Sequence, residues 1–174
     1  PTTLSLTSIG DTATVTPTVK DAAGSVVAGA TVTWTTSAEG VATVSDAGLV
    51  TAVADGSATI TATSGEASDT AAVTVAQAAA SMELSDTVLT FASLGDTTQL
   101  TATVKDTNGT EISGATVTWA TSAASVATVS STGLVTSVAD GTATITATSG
   151  SVSATAAVTV TQGASSITVS PTTV

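Results

Sequence analysis

The chain has 174 residues, 42% of them hydrophobic but only 2% aromatic and 9% charged, and 13 acidic side chains stand against two lysines for a net charge of −11. Without Arg or His there is no basic stripe to neutralise phosphates, which excludes nucleic acid as a partner. Without His or Cys, imidazole-activated nucleophiles and His/Cys metal sites are excluded too.

No apolar run approaches the ~20 residues of a membrane helix, so no membrane insertion is expected. The wealth of Val, Ile and Thr separates the chain from polar disordered sequences. Zero cysteines means that no disulfide supports the fold. The sequence opens at Pro1 with no Met and no signal-peptide pattern, as expected of a mature product or of a window from something longer.

From the N-terminus, the first clear alternation is Val15, Pro17 and Val19 against Thr14, Thr16 and Thr18, which predicts a strand. Turn signals follow at Asp21–Gly24 and Gly29, and then Val32 and Trp34 alternate with Thr31, Thr33 and Thr35. Turns at Asp46–Gly48 and Asp55-Gly56 lead to Ala58, Ile60 and Ala62 alternating with Thr59, Thr61 and Thr63. After Ser64-Gly65, Ala71, Val73 and Val75 close the series. A period of two, with small aliphatics facing in and Thr facing out, reads as half-buried antiparallel strands. No stretch carries a helical period.

A shift of 85 residues then aligns the chain with itself without a gap. Gly29–Gly65 returns as Gly114–Gly150, and residues 1–77 match 86–162 at 50 of 77 positions. A third copy begins at Ala164–Val174, which aligns with Ala79–Leu89. The first two copies carry −6 and −5, so one part is used twice. The expected fold is all-β: tandem antiparallel β-sandwiches of about seven strands each, which the resemblance described next makes Ig-like, with domains at 1–77 and 78–162 and an orphan first strand or donor strand in 163–174. Trp34 and Trp119 are the bulkiest candidate core fillers, among Val, Ile and Ala.

The strings Val32-Thr33-Trp34, Val41-Ala42-Thr43-Val44-Ser45, Gly48-Leu49-Val50-Thr51, Gly56-Ser57-Ala58-Thr59-Ile60 and Ala72-Val73-Thr74-Val75 resemble the bacterial Ig-like domain, group 2. Members of that family usually open with a Ser-Ile-Thr-Val-Ser-Pro-like strand, which Ser166–Pro171 matches. The resemblance covers essentially the whole chain. It implies sandwiches strung in tandem, as in intimin- and invasin-like adhesins, S-layer and cell-wall proteins and phage virion proteins. It also implies an extracellular or cell-surface location and a spacer, displayer or adhesion role, with no catalytic residue and no cofactor.

Other chemistries are weaker. Trp34 and Trp119 have inward parity, leaving little aromatic material for stacking on host or surface glycans, so glycan or receptor binding is the alternative reading. Asp11, Asp21 and Asp55 recur as Asp96, Asp106 and Asp140, but each stands alone in its own turn, where a side chain bonding its own backbone explains it better than calcium does. Lys20 and Lys105 have outward parity, which disfavours an isopeptide crosslink, and Asn108-Gly109-Thr110 is a lone glycosylation match. The Thr rows resemble ice-binding ladders, but sandwich strands twist by roughly 20° each, and O-glycosylation is the better use of them. No acid/base or nucleophile constellation exists, and an enzyme is not expected.

The repeat phase carries the sharpest expectation. Pro1–Leu4 aligns with Pro171–Val174, so the first domain lacks the opening strand that Ser81–Ser85 supplies to the second, while Ser166, Ile167, Thr168, Val169 and Ser170 form an opening strand with no sandwich behind it. A missing edge strand leaves unpaired backbone groups and an apolar slot. Subunits are therefore expected to join head to tail, residues 166–170 of one completing domain 1 of the next, as a filament. The alternative is a two-repeat window of a longer array, in which the same strand belongs to the next covalent domain.

Overall fold

The computed structural model describes residues 2–170, all in strands, turns and connections, with no helix among them. The segments Pro1 and Pro171–Val174, which enter the phase argument above, lie outside the described residues. Two compact units form. The first runs to Ala80 and takes in Lys105–Ile112; the second holds Ser81–Val104 and continues from Ser113.

Seven strands build the first unit: β1 (Thr3–Leu6), β2 (Thr12–Thr14), β3 (Thr33–Thr36), β4 (Ala42–Val44), β5 (Leu49–Ala52), β6 (Gly56–Ser64) and β7 (Ala67–Val75). They form a four-stranded sheet, β1-β7-β6-β3, and a three-stranded sheet, β2-β5-β4. Buried Ala42 and Val50 from the smaller sheet and Leu6, Ile60, Val73 and Val75 from the larger share one core, which makes the unit a sandwich. The strict alternation along β7, where Ala71, Val73 and Val75 are buried between exposed Ala72 and Thr74, is the period-two pattern of the sequence.

Nine strands build the second unit: β8 (Ser81–Leu84), β9 (Val88–Phe91), β10 (Thr97–Gln99), β11 (Ala102–Lys105), β12 (Thr118–Thr121), β13 (Ala127–Val129), β14 (Leu134–Ser137), β15 (Gly141–Ser149) and β16 (Val152–Val160). Sheets β12-β15-β16-β9 and β10-β14-β13 repeat the first unit, with registers shifted by 85 residues. A two-stranded ribbon, β11-β8, is added. Two pairings depart from the antiparallel expectation: β1 runs parallel to β7, and β9 parallel to β16. Each joins the sheet beside the strand that closes its repeat, without a hairpin to reverse it.

The predicted strand at 14–19 forms only in part. Strand β2 ends at Thr14, and Pro17–Val19 pair with no strand, whereas the equivalent Ala102–Val104 lies in β11. The sequences are nearly the same (Thr-Pro-Thr-Val-Lys against Thr-Ala-Thr-Val-Lys), so the difference lies in the partner: β8 lies beside β11. Pro17 also lacks the N–H that Ala102 can offer.

The tryptophans are half-buried and pack on the two cores. Each faces a glycine in the left-handed region, Gly48 (φ 78°) against Trp34 and Gly133 (φ 86°) against Trp119. A Cβ on Gly133 would stand 2.5 Å from the Leu100 carbonyl and 2.9 Å from the indole. Gly109 (φ 80°) has the same backbone requirement but open space around it. Gly109→Ala should therefore cost only the left-handed penalty, about 1–2 kcal/mol, whereas Gly133→Ala adds overpacking for a total of about 2–5 kcal/mol. Chemical denaturation of the two variants checks the difference; equal losses would disprove the close packing of Trp119 on Gly133.

Candidate functional site

A concavity of the first unit, a slot, lies beside residues 16–20. It holds about 450 Å³ and is lined by Val15, Val19, Val32, Trp34, Ile60 and Ala62, with Lys20 at its rim. In the second unit the equivalent surface is closed. Strand β8 runs antiparallel to β11, with Ser85 N–H donating to the Thr101 carbonyl at 3.0 Å, and turns Met82 and Leu84 inward. Val104, Ala147 and Ser149 are buried, while their first-unit counterparts Val19, Ala62 and Ser64 are only half-buried. The slot is thus the imprint of a strand that the first unit does not possess among the described residues.

Residues 166–170 repeat β8, with Ile167 at the place of Met82 and Val169 at that of Leu84. They pair with no strand, and Ile167 and Val169 are 90% and 89% exposed. Slot and segment lie in different units.

One of the recurring aspartates, Asp106, organises the first unit's other feature and reaches well beyond its own turn. In the turn at residues 106–110, Oδ1 of Asp106 accepts the N–H groups of Asn108 (3.0 Å) and Thr110 (2.9 Å). Its Oδ2 accepts the Ile9 N–H (3.0 Å) and the Gln77 side-chain amide (2.9 Å). Asn108 adds Nδ2 bonds to the Ile9 carbonyl (2.9 Å) and Asp11 (3.0 Å). Burial pushes the Asp106 carboxyl up, but the bonds from Gln77, Thr110, Ile9 and Asn108 outweigh it and hold the group below the ordinary carboxylate value.

Asp21, its repeat counterpart, builds the same turn. Oδ1 accepts Ala23 and Ser25 N–H, both at 2.9 Å, but Oδ2 has no partner among the described residues and the residue is exposed. The self-bonding turn expected of each recurring Asp holds for Asp21, for Asp106 and for Asp11, which accepts the N–H groups of Thr7 and Ser8. It does not hold for Asp55 and Asp140. These reach 22 residues along the chain to the Gln77 and Gln162 N–H groups, at 2.8 and 2.9 Å, and fix the exit from the last strand of each repeat. Among the described residues no three Asp, Glu, His or Cys stand close enough to hold a metal ion.

Two outcomes follow. Asp106→Asn should lower the unfolding temperature, because an amide cannot accept four N–H bonds, while Asp21→Asn should leave it nearly unchanged; similar effects from both would remove the distinction drawn between them. A carboxylate depressed in the folded state stabilises above its unfolded pKa, and that contribution is lost as pH falls through the folded value. Carboxyl-carbon NMR titration should therefore place the Asp106 midpoint below the ordinary Asp value, with the Ile9 amide resonance moving in step. An ordinary midpoint would contradict the four-bond arrangement.

Comparison with curated proteins returned no match. Among solved structures, the chain is similar to surface layer protein SbsC, domains 1–6 (27% identity, TM-score 0.48, covering 83% of this chain and 22% of that one). It is also similar to SbsC domains 4 and 5 (26%, TM-score 0.46, covering 85% and 81%) and to invasin, a bacterial integrin-binding protein (23%, TM-score 0.48, covering 84% and 35%). The chain thus spans about a fifth of the length of the SbsC domain 1–6 structure. The family description "Bacterial Ig-like domain (group 2)" matches residues 7–75 and again 78–160, and the chain belongs to that family in two tandem copies.

Proposed function

We propose that the chain is a structural module of a bacterial cell-surface filament, stalk or adhesin, and that copies join head to tail by strand donation. Residues 166–170 of one copy enter the slot of domain 1 in the next, run antiparallel to Thr16–Lys20, and bury Ile167 and Val169 where β8 buries Met82 and Leu84. The observation that carries this reading is the match between an open slot and a free segment with the sequence pattern of the strand that closes the equivalent slot. In a longer tandem polypeptide the same match operates between successive repeats of one chain, which the unbroken repeat phase of residues 1–170 favours as a second reading.

Half-burying two aliphatic side chains contributes roughly 2–3 kcal/mol together, and each ladder hydrogen bond adds about 1 kcal/mol. Several kcal/mol go to lost translational and rotational freedom. Association of separate copies is therefore weak, and the net charge of −11 on each makes it stronger in salt.

The test is sedimentation of the full chain against two variants, one lacking residues 164–174 and one carrying Ile167→Asp with Val169→Asp. The full chain should form concentration-dependent oligomers, and both variants should remain monomeric with unchanged far-UV circular dichroism. In a Trp119→Phe background, Trp34 emission should shift to shorter wavelength as the slot fills. A shortened chain that assembles like the full one, or a full chain that stays monomeric throughout, overturns the reading.

A further inference from the structure

The Asp106 arrangement shows what a filled neighbour position looks like, and Asp21 presents half of it. Both turns close with the same bonds: Asp21 N–H to the Ser25 carbonyl and Gly24 N–H to Asp21 (2.9 and 3.0 Å), and Asp106 N–H to Thr110 and Gly109 N–H to Asp106 (2.9 and 3.0 Å). Both aspartates spend Oδ1 on their own turn. Only Asp106 spends Oδ2, on a glutamine amide and a backbone N–H from the preceding repeat.

The groups that would serve Asp21 in the same way are Gln162 and the Leu94 N–H, the repeat counterparts of Gln77 and Ile9. Both are uncommitted. Gln162 is exposed and its side chain bonds nothing among the described residues, and neither does the Leu94 N–H. Their backbone is already set. The Thr161 N–H donates to the Phe91 carbonyl (3.0 Å) and Gly163 N–H to Ala92 (3.2 Å), as Ala76 does to Leu6 (3.0 Å) and Ala78 to Thr7 (2.9 Å). The chain thus leaves both repeats along one path as far as residue 163. Beyond that the paths part, since Ala80 N–H reaches the Lys105 carbonyl at 2.8 Å while its counterpart Ser165 pairs with nothing.

We infer that the joint between copies carries a polar latch beside the donated strand: Oδ2 of Asp21 in the receiving copy accepts the Gln162 side-chain amide and the Leu94 N–H of the donating copy. The partner is a second copy of this chain, and the inference rests on the strand-donation reading. The spacing agrees, because Gln162 and Ile167 are as far apart in sequence as Gln77 and Met82. A strand seated beside Thr16–Lys20 therefore brings Gln162 to the turn that follows. The joint is leaner than its intrachain counterpart, since Ala23 stands where Asn108 supplies two more hydrogen bonds.

Sedimentation of the full chain at fixed salt tests the latch through Asp21→Asn, Gln162→Ala and their combination, with Ile167→Asp/Val169→Asp as the strand control. Asp21→Asn and Gln162→Ala should each weaken association on the order of tenfold, the range for a hydrogen bond to a charged group. Combined, they should weaken it little more than the stronger single change, because both remove one contact. The unfolding temperature of the monomer should not move. If the strand control abolishes association while the latch variants stay within about twofold, or if their effects multiply, the latch is wrong and strand donation stands. Unchanged association in the strand control overturns both.

Discussion

The whole molecule depends on the cover that a β-edge requires. Backbone N–H and C=O groups at the rim of a sandwich need partners, and a core built of Ala and Val is too shallow to do without a lid. In the second unit β8 supplies both needs at once, pairing with β11 while Met82 and Leu84 turn inward and Leu84 packs on the core. In the first unit, a nearly identical segment loses its strand geometry where no such partner stands. One four-residue strand therefore decides whether a repeat is closed or open, and it sits at the front of the repeat in sequence while finishing the sandwich in space.

Much of this was legible in the sequence because it is periodic at two scales. The two-residue alternation around Ile60, Ile145, Val73 and Val158 gave the buried faces directly, and the shift of 85 residues gave the two family copies, though the compact units divide elsewhere, Lys105–Ile112 joining the first. The strand predicted over 14–19 misled, since alternation records which side chains suit a pleated surface and not whether a neighbour is there to pair with it. Asp106 was legible as a turn residue, but its bonds beyond the turn were not, for a related reason. Asp21 and Asp106 carry the same local signal, and what separates them is a bond to Ile9, 97 residues away, and one to Gln77, 29 away. Asn108 stood out in the sequence only as part of a glycosylation match, because its partners, Ile9 and Asp11, lie as far off. Side-chain contacts between repeats leave no periodic trace.

The acidic composition takes on a structural meaning here. With two lysines in the chain, carboxylates must find their partners among backbone N–H groups. Asp11 and Asp21 close turns, Asp55 and Asp140 tether the strand exits, and Asp106 gathers four donors. Such bonds are directional and local, so each bead can be strongly negative, and hence repel others except where shape and donors match, without losing its turns.

The parallel pairing of β1 with β7 has a mechanical consequence. Thr3–Leu6 opens the first repeat and Ala67–Val75 closes it, side by side and pointing the same way. Tension that pulls the start of β1 backward and the end of β7 forward slides one strand along the other. The hydrogen bonds between them are then loaded together in shear and not one after another as in an unzipped hairpin. The same holds for β9 and β16. Each bead thus resists stretching along the chain with a whole row of bonds at once, and survival under load is set by the rate at which that row gives way.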